Sequence, residues 1–140
     1  MKPRSQLLGG RPPGQTLAEF AQVATVFLLL IFGMMEMGIV VYRYTTICMA
    51  AREAARYAMV HGPNSQNPDD ANHDSTIAVA TAEAPFLSAS DVTVTFPTDQ
   101  TLPKQQDALV SITHNYTQQI PFMSPVTLTL TSSSRMLLSQ

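Results

Sequence analysis

The sequence predicts an α+β protein. A long N-terminal transmembrane helix continues into a small domain with one short helix and an antiparallel sheet of about three strands. Three observations predict it. An apolar run from Phe20 to Val41 is followed, without a helix breaker, by an alanine-rich stretch. A Gly-Pro pair at Gly62-Pro63 stops that stretch. Beyond it, three segments alternate apolar and polar residues.

The apolar run reads FAQVATVFLLLIFGMMEMGIVV, and Glu36 is its one ionisable residue. At about 1.5 Å per residue it reaches roughly 30 Å, the thickness of a bilayer core. A 140-residue chain has little mass left to wrap a helix that is apolar on every face, so lipid is its expected surrounding rather than a protein core. Residues 1–14, MKPRSQLLGGRPPG, carry Lys2, Arg4 and Arg11 and no acid. Their glycines and prolines argue against regular structure. A basic leader before an apolar run places the N-terminus in the cytoplasm and the rest outside it. Arg43, Arg52 and Arg56 beyond the span reduce the contrast in charge. The net charge of -2 gives no basic footprint for nucleic acid.

The helix is expected to run on past the membrane, from about Thr16 to Val60, a length on the order of 65–70 Å. Ala50, Ala54 and Ala58 recur every fourth residue, and Ile47, Ala51 and Ala55 widen the same small-residue surface. Gly62 suits a left-handed C′ position, and Pro63 cannot continue a helix. After a polar loop, Asp74 or Ser75 is the expected cap of a short helix, STIAVATAEAPFL, ending near Pro85. Asp91–Phe96, Asp107–His114 with Tyr116 beyond, and Val126–Ser132 then read as strands. Their single apolar face needs a cover, and the projecting helix supplies one. The expected organisation is a leader over 1–14, a long helix over 15–61 and a small periplasmic domain over 62–140. Within the helix, residues 20–42 are the expected span and 43–61 the projecting part.

The leader ends in GQTLAEF, Gly14 to Phe20. A glycine, four residues, a glutamate, an aromatic and a long apolar helix form the prepilin pattern. Downstream, FGMMEMGIVVYR and AAREAARYAMVHG resemble the TadE-like family of the tight-adherence (Tad, type IVc) pilus system, and LTLTSSSRMLL is similar to that family's closing strand. The resemblance implies a pilin-like domain and a pseudopilin or minor pilin cut between Gly14 and Gln15 by a prepilin peptidase. It also implies contacts with other pilins and with an inner-membrane assembly platform. The setting is then the bacterial inner membrane, crossed once, and after extraction a surface filament. Glu19 would pair with the α-amino group that cleavage creates on Gln15 of a docked subunit, beside Phe20. A carboxylate at that depth is costly unless paired.

Glu36 lies about 8 Å from the centre of the run, toward its outer end. Three environments suit it: protonation, Arg43 of a neighbouring subunit, or headgroup water. Arg43 is on the same helix face about 10 Å along. The resemblance makes Ala51, Arg52, Glu53, Ala55, Arg56 and Tyr57 a hub that packs the helix on the domain or on a neighbour. The bland alternative for Arg52, Glu53 and Arg56 is a solvated charged edge.

Little else suggests chemistry. Cys48 is the single cysteine; His61, His73 and His114 are scattered without metal-ligand spacing; Asp69, Asp70 and Asp74 lack the calcium-loop pattern. No cofactor, small-molecule substrate or enzymatic activity is expected. Two other readings stand. One is an unprocessed, membrane-anchored periplasmic adaptor, which needs neither Gly14 nor Glu19. The other is a secreted protein cut near Met49-Ala50-Ala51, for which the apolar run is too long.

Overall fold

The computed structural model describes residues 13–63, 65–97, 107–121 and 123–137. All but the end of the expected leader lies outside the described residues. Helix α1 runs from Pro13 to Val60, 48 residues and about 72 Å. Its most apolar 18-residue window has a mean hydropathy of 2.3 and is 0% buried, so the helix is long and apolar enough to cross a membrane.

The second half of α1 is the spine of the folded part. Ile47, Ala50, Ala51, Ala54, Ala55 and Ala58 are fully buried. They recur at intervals of three and four residues, which keeps them on one side of the helix. The absence of side chains beyond Cβ lets helix α2 and the sheet approach closely. Thr76 and Ala80 of α2, Asp74–Glu83, are buried in the same core. Val92, Ala108, Val110, Ile112 and Leu130 close it from the sheet.

The sheet has three antiparallel strands in the order β1 (Val92–Thr95), β2 (Asp107–Gln118), β3 (Val126–Leu137). The α+β architecture is therefore as expected, with β2 and β3 longer than their alternation indicated. These two form a 12-residue pair, about 40 Å of ribbon. β1 pairs only with Leu109 to Ile112, so the ribbon from Thr113 onward has two strands. Side chains at even positions of both strands turn toward α1: Val110, Ile112 and Leu130 are buried, and Tyr116, Leu128, Ser132 and Ser134 are half-buried. At the far end of the ribbon, buried Asp107 accepts from Arg135 Nε at 2.6 Å and also from its Nη2.

Two local expectations need correction. The cap of α2 comes from neither Asp74 nor Ser75. Asp69 Oδ2 accepts from Thr76 N at 3.0 Å and from Thr76 Oγ1 at 2.6 Å, and Asp70 Oδ1 accepts from Asp74 N at 2.9 Å. The polar loop folds back to satisfy the orphan donors of the first turn. His73, with a left-handed φ of 57°, makes the bend that permits this. Second, no described glycine has a positive φ. The C-terminus of α1 is instead finished by His61 N donating to Tyr57 O at 3.0 Å, with the His61 ring stacked on Tyr57 at 4.0 Å.

Ala54→Leu inserts three carbons where α1 meets its cover at full burial. The expected loss is about 1–3 kcal/mol, read by chemical denaturation of the protein in detergent micelles. The same change at exposed Arg52 is expected to have little effect.

Candidate functional site

The buried stripe of α1 does not end at Ile47. Continued toward the N-terminus at the same spacing it passes through Arg43, Val40 and Glu36, and then Phe32, Leu29 and Thr25. Arg43, Val40, Glu36 and Leu29 are half-buried there, while Phe32 and Thr25 are exposed. Where ribbon and helix meet, a polar seam forms. Tyr116 OH donates to Glu36 Oε2 at 2.7 Å. The Arg43 guanidinium lies over the Tyr116 ring at 4.5 Å and over the Phe86 ring at 4.8 Å. Its Nη1 is 3.3 Å from His114 Nε2, and His114 Nδ1 is 2.9 Å from Asp91 Oδ2.

The partners fix the imidazole tautomer. Arginine only donates, so His114 Nε2 accepts from Arg43 and Nδ1–H donates to Asp91. Asp91 is held in place by a 3₁₀ turn, Ala89–Asp91, where Ser88 N donates to Asp91 Oδ2 at 3.1 Å. Burial works to raise the Asp91 pKa, but hydrogen bonds from His114 and Ser88 bring it below the usual carboxylate range. The Tyr116 phenol is pushed up, first by its hydrogen bond to Glu36, then by burial and the charge on that carboxyl; Arg43 opposes the shift.

The seam brings Glu36 and Arg43 together within one chain. Tyr116 stands between the two, bonded to one and stacked under the other. Arg43 is used within the same chain. The signal was present in the sequence: Glu36 and Arg43 stand seven and four residues along the stripe that Ile47 begins, counted from each to its next charged or buried member. Tyr116, His114, Asp91 and Phe86 were not foreseen as site residues, because their partners lie elsewhere in the chain.

Other predicted residues are placed differently. Ala51 and Ala55 are fully buried. Arg52, Glu53 and Arg56 are exposed and do not join the packing. Among the described residues Arg56 Nη1 and Glu53 Oε2 form a surface pair at 3.8 Å, worth little by itself. Tyr57 is half-buried. At the other end of α1, Phe20 is 71% exposed, and Glu19 is exposed with its Oε1 3.2 Å from Gln15 Nε2. A Cβ on Gly14 would meet nothing within 4 Å. Among the described residues no group of three or more His, Cys, Asp or Glu is placed to hold a metal ion. The carboxylates of Asp69 and Asp70 are engaged in capping α2.

Residues 14–56 match the model of the TadE-like protein family. This TadE-like segment begins at Gly14, takes in the whole apolar run, and ends at Arg56 within the alanine stripe. The matched segment lies on the helix that is long and apolar enough to cross a membrane. Nothing among the curated proteins or the solved structures matches the chain. The seam pairs side chains of the TadE-like segment, Glu36 and Arg43, with side chains of the sheet that lie outside it.

Tyr116→Phe keeps the ring beneath Arg43 and removes the donor to Glu36. The expected loss is about 1–3 kcal/mol, the cost of leaving a half-buried acceptor without its partner, and it is read by denaturation in micelles. Asp91 has a second, pH-dependent signature. Its folded pKa lies below the unfolded one, so its contribution is complete above roughly pH 4 and is lost as pH falls through the folded value. Melting curves of Asp91→Asn against pH are expected to lose part of the acid-side decline. Asp69 is shifted in the same direction and adds to that decline: burial is again the largest influence and again outweighed, here by hydrogen bonds from Thr76, Ser75 and Asp70.

Proposed function

We propose that this protein is a pseudopilin or minor pilin of a Tad-type pilus or related secretion machine. A prepilin peptidase cuts it between Gly14 and Gln15. The product keeps its helix, with the N-terminus at the cytoplasmic face of the inner membrane and the folded domain in the periplasm. Other pilins and the assembly platform then draw it into, or to the tip of, a filament. Residues 1–14 are the leader, 15–61 the assembly helix and 62–140 the domain it carries.

The observation that carries this reading is the TadE-like match starting at Gly14, taken with that residue's surroundings. Gly14 has an ordinary helical φ and open space where a side chain would stand, so nothing among the described residues calls for glycine. A peptidase that must reach the backbone does call for it. Glu19 fits the same scheme. Its described contact is a side-chain hydrogen bond from Gln15 one turn before it, at the exposed surface. Cleavage would create an α-amino group on Gln15, and Glu19 of an incoming subunit would pair with that group on one already docked. In a low-dielectric filament core the pair sets the register, since an unpaired charge there costs several kcal/mol. Exposed Arg52, Glu53 and Arg56 are then available to neighbours.

The test is the intact mass and N-terminal sequence of the protein, expressed with and without its prepilin peptidase. The expected product begins at Gln15 and forms only with active peptidase. Gly14→Glu is expected to abolish cleavage while leaving the circular dichroism spectrum unchanged. Glu19→Ala is expected to be cut normally but to be missing from sheared filaments. A chain that keeps its leader beside active peptidase overturns the proposal in favour of an anchored adaptor.

A further inference from the structure

The β2–β3 ribbon continues past the seam toward the N-terminal half of α1. Its tip comes alongside the apolar run: Pro121 shares a cleft with Thr25, Leu28, Leu29 and Phe32. If the helix crosses a bilayer, a part of the folded domain lies at membrane depth. We propose that this hairpin tip, through Ile120, Pro121, Met123 and Val126, is a second membrane contact, immersed by roughly 5–10 Å in the leaflet on the side of the folded domain.

Four features suit the tip to lipid. From Asn115 to Ser134 the chain contains no Asp, Glu, Lys, Arg or His. Met123 is 59% exposed and Val126 49%, an apolar surface continuous with the bare helix beside it. Pro121 and Pro125 have no backbone N–H to leave unpaired, and Met123 N donates to Ile120 O at 3.2 Å. The polar side chains on the ribbon's outer face bond one another: Thr117 to Thr127 at 3.2 Å, and Thr129 to Asn115 at 2.8 Å. Self-satisfied polar groups without charge are what a low-dielectric boundary requires.

The open backbone edges of the ribbon set the limit. They need water or headgroups, so only the tip enters. The hydrocarbon boundary then falls near Phe32, not at residue 42. Gln15 to Phe32 remains as the span, about 27 Å of helix, within the usual range. Glu36 and Tyr116 come to lie in the headgroup layer, where a bonded carboxyl and phenol are at home. The inference rests on the helix being a membrane span and is independent of whether Gly14 is cut.

The chain contains no tryptophan, so single substitutions report position by fluorescence. Full-length Met123→Trp, Val126→Trp, Val26→Trp and Val60→Trp are each reconstituted in vesicles of phosphatidylethanolamine and phosphatidylglycerol. Emission is measured with lipids brominated near the headgroup, with lipids brominated near the chain end, and with aqueous acrylamide. The Met123 and Val126 probes are expected to lose most of their emission to the shallow bromines and little to acrylamide. The Val26 probe is expected to respond to the deep bromines, and the Val60 probe to acrylamide alone. Acrylamide quenching at both tip positions with no bromine effect overturns the proposal. So does protection from both quenchers that disappears as the protein is diluted in lipid, which would show a neighbouring copy covering the tip. If the Val26 probe also ignores the bromines, the span itself fails and the proposal with it.

Discussion

One continuous helix has to satisfy two surroundings. Over its first half the helix is mostly apolar and mostly exposed, and over its second half one face is stripped to Cβ and fully buried. A 48-residue helix with no break transmits any axial or rotational displacement rigidly from one half to the other. The domain is therefore fixed on the helix by the alanine stripe, and the stripe's direction decides which residues of the apolar half face the ribbon. Large side chains at Ala50, Ala54 or Ala58 would hold the sheet away, and the ribbon would no longer meet Glu36. The rest of the structure follows from that close approach.

The polar seam is the electrostatic counterpart of the stripe. Two carboxyls, a guanidinium, an imidazole and a phenol are gathered at the point where the helix passes from protein cover to its bare half. A direct Glu36–Arg43 pair would have to bridge about 10 Å along the helix. Tyr116 removes the difficulty by offering its hydroxyl to the acid and its ring face to the cation. Arg43 is thereby shared among two aromatic faces and one imidazole nitrogen, and no atom of it needs a carboxylate. Such an arrangement ties the helix to its own domain without a bare charge pair.

Much of this was legible from the residues. Uniform apolarity gave the span, four-residue alanine spacing gave the buried face, and alternation gave three strands. Where the sequence misled, the cause was distance along the chain or lack of contrast. Thr113 to Gln118 alternates one polar side chain with another, as do the serines of β3, so hydropathy alone does not show how far the ribbon extends. Pairing with the opposite strand carries it on. The cap of α2 was sought next to the helix, but it comes from Asp69 by way of a left-handed turn at His73. Glu36 and Arg43 were visible as unusual, yet their partners lie 80 and 71 residues away. The steps of seven and four residues that join Glu36, Arg43 and Ile47 are the local signal that pointed to a shared cover.

What the monomer leaves unused is arranged as consistently as what it uses. A Cβ at Gly14, Gly33 or Gly38 would meet nothing within 4 Å, so packing among the described residues requires none of the three. Arg52, Glu53 and Arg56 stand on the exposed side of the very turns whose alanines are buried. Glu19 and Phe20 lie open at the other end. Glycines bring backbones close in lipid, and charges without strong internal partners are cheap to pair with another molecule. The helix thus divides its circumference. One face folds the protein, and the remaining faces keep the residue types that packing between subunits would need, with the ribbon holding the first face fixed while the others stay free.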